Sequence, residues 1–126
     1  MHRSKLSGIL IDCDEESMEA ATRFWSQALG MPEAAPRDPG SPYVNFKGRV
    51  DSMHVEMQKI GDASRVHLDI ESDDVEAEAE RLVSLGACKK EFIHTWWVME
   101  DPAGMPSCVI PQVSDGSLND ANVWEG

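Results

Sequence analysis

A chain of 126 residues that is 41% hydrophobic and 27% charged can bury one core unaided, which excludes a disordered or fibrous protein and a multidomain assembly. Eleven lysines and arginines against 23 aspartates and glutamates leave a formal charge of −12, which repels phosphate backbones and anionic membrane surfaces and argues against nucleic acid as a partner. Three cysteines, Cys13, Cys88 and Cys108, lack the paired spacing of a zinc finger or a disulfide framework and read as reduced thiols.

The first residues, MHRSKLSGILID, are basic but hold no long apolar stretch, so no signal peptide is expected. The apolar run Gly8–Ile11 stops at Asp12, far short of a membrane span, and a cytoplasmic protein is the expectation. Ser7–Asp12 reads as a strand. A helix is predicted over Glu15–Leu29, with Met18, Ala21, Trp25, Ala28 and Leu29 on one stripe, Asp14 as N-cap, and Gly30 and Pro32 as the stop. Weak strand signal follows at Glu33–Ala35, better signal at Tyr43–Phe46 and good signal at Met53–Ile60. The Pro-rich stretch 34–42 reads as a loop.

The same order then recurs. Arg65–Glu71 is a predicted strand and Asp74–Leu85 a predicted helix, with Asp73 and Glu76 spaced as a capping box and Gly86 as the stop. Glu76, Glu78 and Glu80 read as a solvated helix face. Strands are expected at Cys88–Ile93, Thr95–Met99 and Ser107–Ile110, with a turn at Asp101–Gly104. Residues 112–126 read as an irregular extension. The whole is an α+β chain of two βαβββ modules, residues 5–60 and 65–111 of a single domain at 1–111, whose sheets are expected to curve around a shared cleft.

The segments FWSQALG (Phe24–Gly30), RVHLDIESDDVEAEAERLVSLGA (Arg65–Ala87) and WWVMEDPAGMPSCVIP (Trp96–Pro111) resemble the vicinal oxygen chelate superfamily, which includes glyoxalases, bleomycin-resistance proteins and extradiol dioxygenases. The resemblance is best to its glyoxalase-like domain branch. It implies metal ligands on the first and last strands of each module, a His or Gln and a Glu. His67 matches the first-strand ligand of module two. Glu56 or Gln58 matches the carboxylate of module one, and the metal pair the resemblance assigns is His67 with Glu56. The last-strand Glu of module two is replaced by Cys108, and the remaining place falls near Gly8. A metal held here would be Zn, Ni, Mn or Fe, with thiolate and imidazole favouring a borderline ion.

Several residues are ligand candidates on their own pattern. His67 shares strand parity with Asp69 and Glu71, whereas Val66, Leu68 and Ile70 share the other face. Glu56 and Gln58 lie at period two, and Asp12 closes the first strand on the cleft side. Trp96 and Trp97 point to opposite faces, one lining a cleft and one packing under a helix, and Trp97 is assigned to the cleft. Cys108 sits among apolar neighbours, so its alternative is a small buried side chain. His54 and His94 read as loop or edge positions.

The expected function is a small-molecule-binding protein of the glyoxalase and bleomycin-resistance type, holding an organic ligand between modules without an intact catalytic metal site. The alternatives are a metal-dependent glyoxalase-like lyase or isomerase, or a related dioxygenase, and a non-catalytic interaction module. A homodimer is expected from exposed sheet edges and from the resemblance.

Overall fold

The computed structural model describes residues 1–34, 38, 40–48 and 53–125. In chain order its elements are β1 (His2–Cys13), α1 (Met18–Leu29), β2 (Tyr43–Asn45), β3 (His54–Lys59), β4 (Arg65–Ser72), α2 (Val75–Ser84), β5 (Cys88–Ile93), β6 (Trp96–Glu100), β7 (Pro106–Pro111) and β8 (Asn122–Trp124). The α+β expectation holds. No helix among the described residues is long and apolar enough to cross a membrane. The chain divides into two compact units: Gly8–His67, and Met1–Ser7 together with Leu68–Gly126.

In the Gly8–His67 unit the strand order is β2, β3, β1. Strands β1 and β3 run parallel from Gly8 opposite His54 to Cys13 opposite Lys59, and β2 runs antiparallel to β3. The pleat sends Ile9, Ile11 and Cys13 to one side with Val55 and Met57. There Cys13, Val44, Phe46, Val55 and Met57 pack with Met18 into a core that α1 closes with Ala21 and Trp25. The weak strand signal near Glu33 is reduced to a single bridge from Glu33 to Phe46, and Ala35 lies outside the described residues.

Helix α1 departs from its expected stripe at both ends. It starts at Met18, after a turn in which the Asp14 carboxylate accepts the backbone N–H of Ser17 at 2.8 Å, so Ser17 and not Asp14 is the N-cap. That bond, with the Ser17 hydroxyl, holds the Asp14 carboxyl below its ordinary value. Thr22 takes the centre of the buried face, whereas Leu29 is left 45% exposed beside the helix stop. The stop is as expected: Gly30 sits at φ 66°, a left-handed conformation that glycine adopts without strain.

In the second unit β1 pairs antiparallel with β8 through His2–Ser4, and the sheet continues β1, β4, β7, β6, β5. Strands β4 and β7 are parallel, and β7, β6 and β5 form an antiparallel meander. The element order β4, α2, β5, β6, β7 is a strand, a helix and three strands. Helix α2 covers Met99 and Val109 with Val75, Ala79 and Leu82, and Trp97 of β6 packs against the same cluster.

The N-cap lies one residue beyond the predicted Asp73, and the residue three positions on is Ala77, which cannot complete a capping box. Asp74 is the N-cap, in extended backbone, and its carboxylate accepts the Ala77 N–H at 3.0 Å. Asp73 instead accepts the Arg3 N–H at 2.8 Å and ties β1 to the end of β4. Asp74→Ala is expected to lower stability by about 1 kcal/mol, the usual cost of removing an N-cap, read as a shift in the urea midpoint at unchanged slope.

The glutamates of α2 do not form one solvated face. Glu76 and Glu80 are exposed and both bind Lys89, but Glu78 is completely buried. Its carboxylate accepts Arg81 Nε and Nη2 at 2.8 and 2.9 Å and the Ser4 hydroxyl at 2.8 Å, with His2 Nε2 at 2.9 Å. Arg81 in turn lies 3.8 Å over the Trp124 ring, whose N–H donates to Ser4. Trp124 belongs to β8, so the carboxy-terminal stretch ends in a paired strand and is irregular only before it.

Candidate functional site

Within the Gly8–His67 unit, the sheet face opposite α1 carries the side chains of alternating residues. In register these are Gly8 beside His54, Leu10 beside Glu56 and Asp12 beside Gln58. The expected candidates Asp12, Glu56 and Gln58 therefore leave the sheet on one side. Glu56 and Gln58 are half-buried, and the Gln58 amide donates to the Tyr43 hydroxyl at 3.4 Å.

His67 joins this face through Asp12. Its Nδ1 lies 2.6 Å from Asp12 Oδ2, and the Arg65 guanidinium Nε is 3.7 Å from the same oxygen. Both partners are buried, His67 at 7% and Asp12 at 1% exposure. The second carboxylate oxygen, Asp12 Oδ1, is buried with no hydrogen-bond partner. An acceptor left unsatisfied in that way is costly and rare in folded proteins.

One residue on this face was not anticipated. His54, read as an edge or loop position, is an internal residue of the sheet at the start of β3. Its imidazole fills the volume that a side chain at position 8 would need: a Cβ there would land on Nε2, Cδ2 and Cε1 of the ring. Only glycine admits this arrangement. The cue in the sequence was the pairing of a strand glycine with a bulky neighbour, which becomes visible once the parallel register is known.

On β4 the alternation continues, with His67 and Asp69 two residues apart and therefore on one side of the strand. In the second unit Asp69 stands opposite Cys108 on β7, and Cys108 opposite Val98 on β6. Asp69 is buried and Cys108 partly so. Trp97 stands opposite Val109, on the other face, where its indole N–H donates to Glu76 of α2 at 2.8 Å and Lys89 covers its ring. The two tryptophans thus do point to opposite faces, but Trp97 is the one packed against the helix and Trp96 shares the side of Cys108.

Imidazole, carboxylate and thiol are the donors that His67, Asp69 and Cys108 could offer an ion. This mixed nitrogen, oxygen and sulfur set fits a borderline cation such as zinc better than a hard ion that prefers oxygen. A cavity of about 230 Å³ near the start of α1, lined by Glu15, Met18, Val44 and Lys59 among others, contains none of the candidate residues.

Residues 9–110 match the glyoxalase-like domain family. No functionally curated protein matches the sequence. Among solved structures, the Mn(II)-bound glyoxalase from Novosphingobium aromaticivorans is similar at a TM-score of 0.64 and 16% identity, over 90% of this chain and 41% of that one. The present chain thus spans less than half of that protein. A hypothetical protein from Bacillus halodurans C-125 is similar at 0.64 and 11% identity, over 88% of this chain and 96% of that one. A glyoxalase/bleomycin resistance protein/dioxygenase superfamily member from Vibrio splendidus 12B01 is similar at 0.55 and 14% identity, covering 86% of this chain and 100% of that one. At these identities the structural likeness speaks for the fold alone. Together with the match over residues 9–110, it places the chain in the glyoxalase-like domain family of the vicinal oxygen chelate superfamily.

Proposed function

We propose that this protein binds a small organic molecule on the sheet face that carries Leu10, Asp12, Glu56, Gln58 and His67. The observation that carries the reading is the buried Asp12 Oδ1, which has no hydrogen-bond partner although the other oxygen of the same carboxylate lies 2.6 Å from His67 Nδ1. A ligand hydroxyl or amide N–H donated to it would satisfy that acceptor, and Leu10 beside it supplies apolar floor. Sites of this type combine an apolar lining with a few convergent polar groups.

A second reading, a metal-dependent lyase or isomerase, is favoured by the donor set of His67, Asp69 and Cys108. A divalent ion held there would polarise substrate oxygens when bound. The protein's own part would be to orient the His67 ring through Asp12.

The test is a thermal-shift screen of small molecules bearing hydroxyl or amide donors, followed by amide chemical-shift mapping. Hits are expected to raise Tm progressively with ligand concentration, by a stabilisation of about 2.7 kcal/mol at a hundredfold excess over Kd, and to perturb residues of β1, β3 and β4. Perturbations confined to other elements would refute the site. Stoichiometric zinc retained by untagged protein after dialysis would replace the first reading by the second.

A further inference from the structure

We infer that Arg65 is a specificity-determining residue, and that with Asp12 it selects a neutral ligand group carrying a hydrogen-bond donor and an acceptor side by side, as a carboxamide, lactam or urea does. This deepens the proposed binding role and rests on it for the site. Arg65 lies two residues before His67 on β4 and so leaves the strand on the same side. Its Nε is 3.7 Å from Asp12 Oδ2, and its Nη1 is 3.8 Å from Asp62 Oδ2. Both separations exceed hydrogen-bond length, and among the described residues the guanidinium makes no hydrogen bond. Unused donors thus stand beside the unused acceptor Asp12 Oδ1.

Because Oδ1 is sealed from solvent, a ligand reaches it only where a neighbouring side chain yields. Arg65 is half-exposed and held by no hydrogen bond, so it has that freedom. The charges on either side then restrict what can bind. An ammonium group could donate to Oδ1 but would meet the guanidinium charge close by. A carboxylate could take the guanidinium but would meet Asp12, compete with Asp62 and leave Oδ1 unsatisfied. An ester or a tertiary amide offers only the acceptor, which again leaves Oδ1 as it is. An amide N–H donated to Oδ1, with the amide carbonyl accepting from Arg65, satisfies both groups and adds no charge.

The test titrates the full-length protein with phenylacetamide, N,N-dimethylphenylacetamide, phenylacetate and phenethylamine, which share one phenyl group for the apolar floor at Leu10. Affinity and location are read from backbone amide shifts and from the Arg65 Nε–H resonance, which Arg65→Gln assigns by its loss. Phenylacetamide is expected to bind about tenfold more tightly than each of the others, the order of discrimination when a buried hydrogen-bonding group is left unpaired. It should also move the Arg65 resonance and the amides of β1 and β3. In Arg65→Gln phenylacetamide is expected to lose its lead over phenethylamine, because the charge that repels ammonium is gone. Phenethylamine, phenylacetate or the dimethylamide binding as tightly as phenylacetamide overturns the inference. So does an unchanged ranking in Arg65→Gln, or an Arg65 resonance unmoved at saturation. If Arg65→Gln does not fold, the wild-type ranking decides alone. A wrong ranking on this face leaves the binding role in place, whereas perturbations confined to other elements refute both, so the two failures are distinguishable. If no probe binds, the selectivity for amides falls and the broader donor screen decides the binding role.

Discussion

Glu78→Gln is expected to destabilise the protein by about 3–5 kcal/mol, the range found when one member of a buried ion pair is removed and its partner is left without compensation. The substitution keeps the side-chain volume, so packing loss contributes little. What it removes is the acceptor of four donor groups, from Arg81, Ser4 and His2, and it places an amide N–H₂ against some of them. The pH dependence gives a second readout. Burial alone would push the Glu78 carboxyl up, but bonds from Arg81, His2 and Ser4 outweigh it and hold the group below the ordinary glutamate value near 4.5. A carboxyl depressed on folding contributes fully above its unfolded value and loses that contribution as pH falls through the folded one. Wild-type stability should therefore decline below about pH 4.5 more steeply than that of Glu78→Gln. Urea midpoints at neutral pH and at acid pH measure both effects, and equal midpoints for the two proteins at neutral pH would contradict the role given to Glu78.

Gly8→Ala is expected to cost about 1–3 kcal/mol, the usual penalty for inserting a carbon into filled space. The backbone at position 8 is not in the left-handed region, so the penalty comes from the His54 ring and not from dihedral strain. The ring must swing off β1, and its ¹H and ¹⁵N resonances should shift strongly. His54→Ala in the same background should recover most of the lost stability, because the truncated side chain no longer occupies the volume. A Gly8→Ala protein as stable as wild type, with unmoved His54 resonances, would show that the seat is not filled.

The two helices and most strands are readable from period and punctuation alone. Both helices end in Leu-Gly, and the two-residue spacing of His67, Asp69 and Glu71 is enough by itself to put them on one face of a strand. Faces that depend on a partner strand are less readable. Trp97 and Trp96 alternate, but which of them meets α2 follows from Trp97 standing opposite Val109, and that register is absent from local pattern. Glu78 has the spacing of a surface glutamate, and only the arrival of His2 and Ser4, more than seventy residues away in sequence, turns it into a core group. Of the candidate site, Asp12, Glu56, Gln58 and His67 follow from parity and resemblance. The hydrogen bond that joins Asp12 to His67 spans fifty-five positions and cannot be read from either segment by itself.

The pairing of β8 with the start of β1 has a consequence for how the polypeptide reaches this form. The Gly8–His67 unit is one continuous stretch, so it can assemble as soon as those residues have been synthesised. The other unit joins two separated stretches, and His2 cannot meet Trp124 until nearly the whole chain exists. Closing so long a loop is entropically expensive and slow. Until it closes, the backbone edge of His2–Ser4 is an unpaired template open to strands of other molecules, so this end of β1 is among the last segments protected from aggregation.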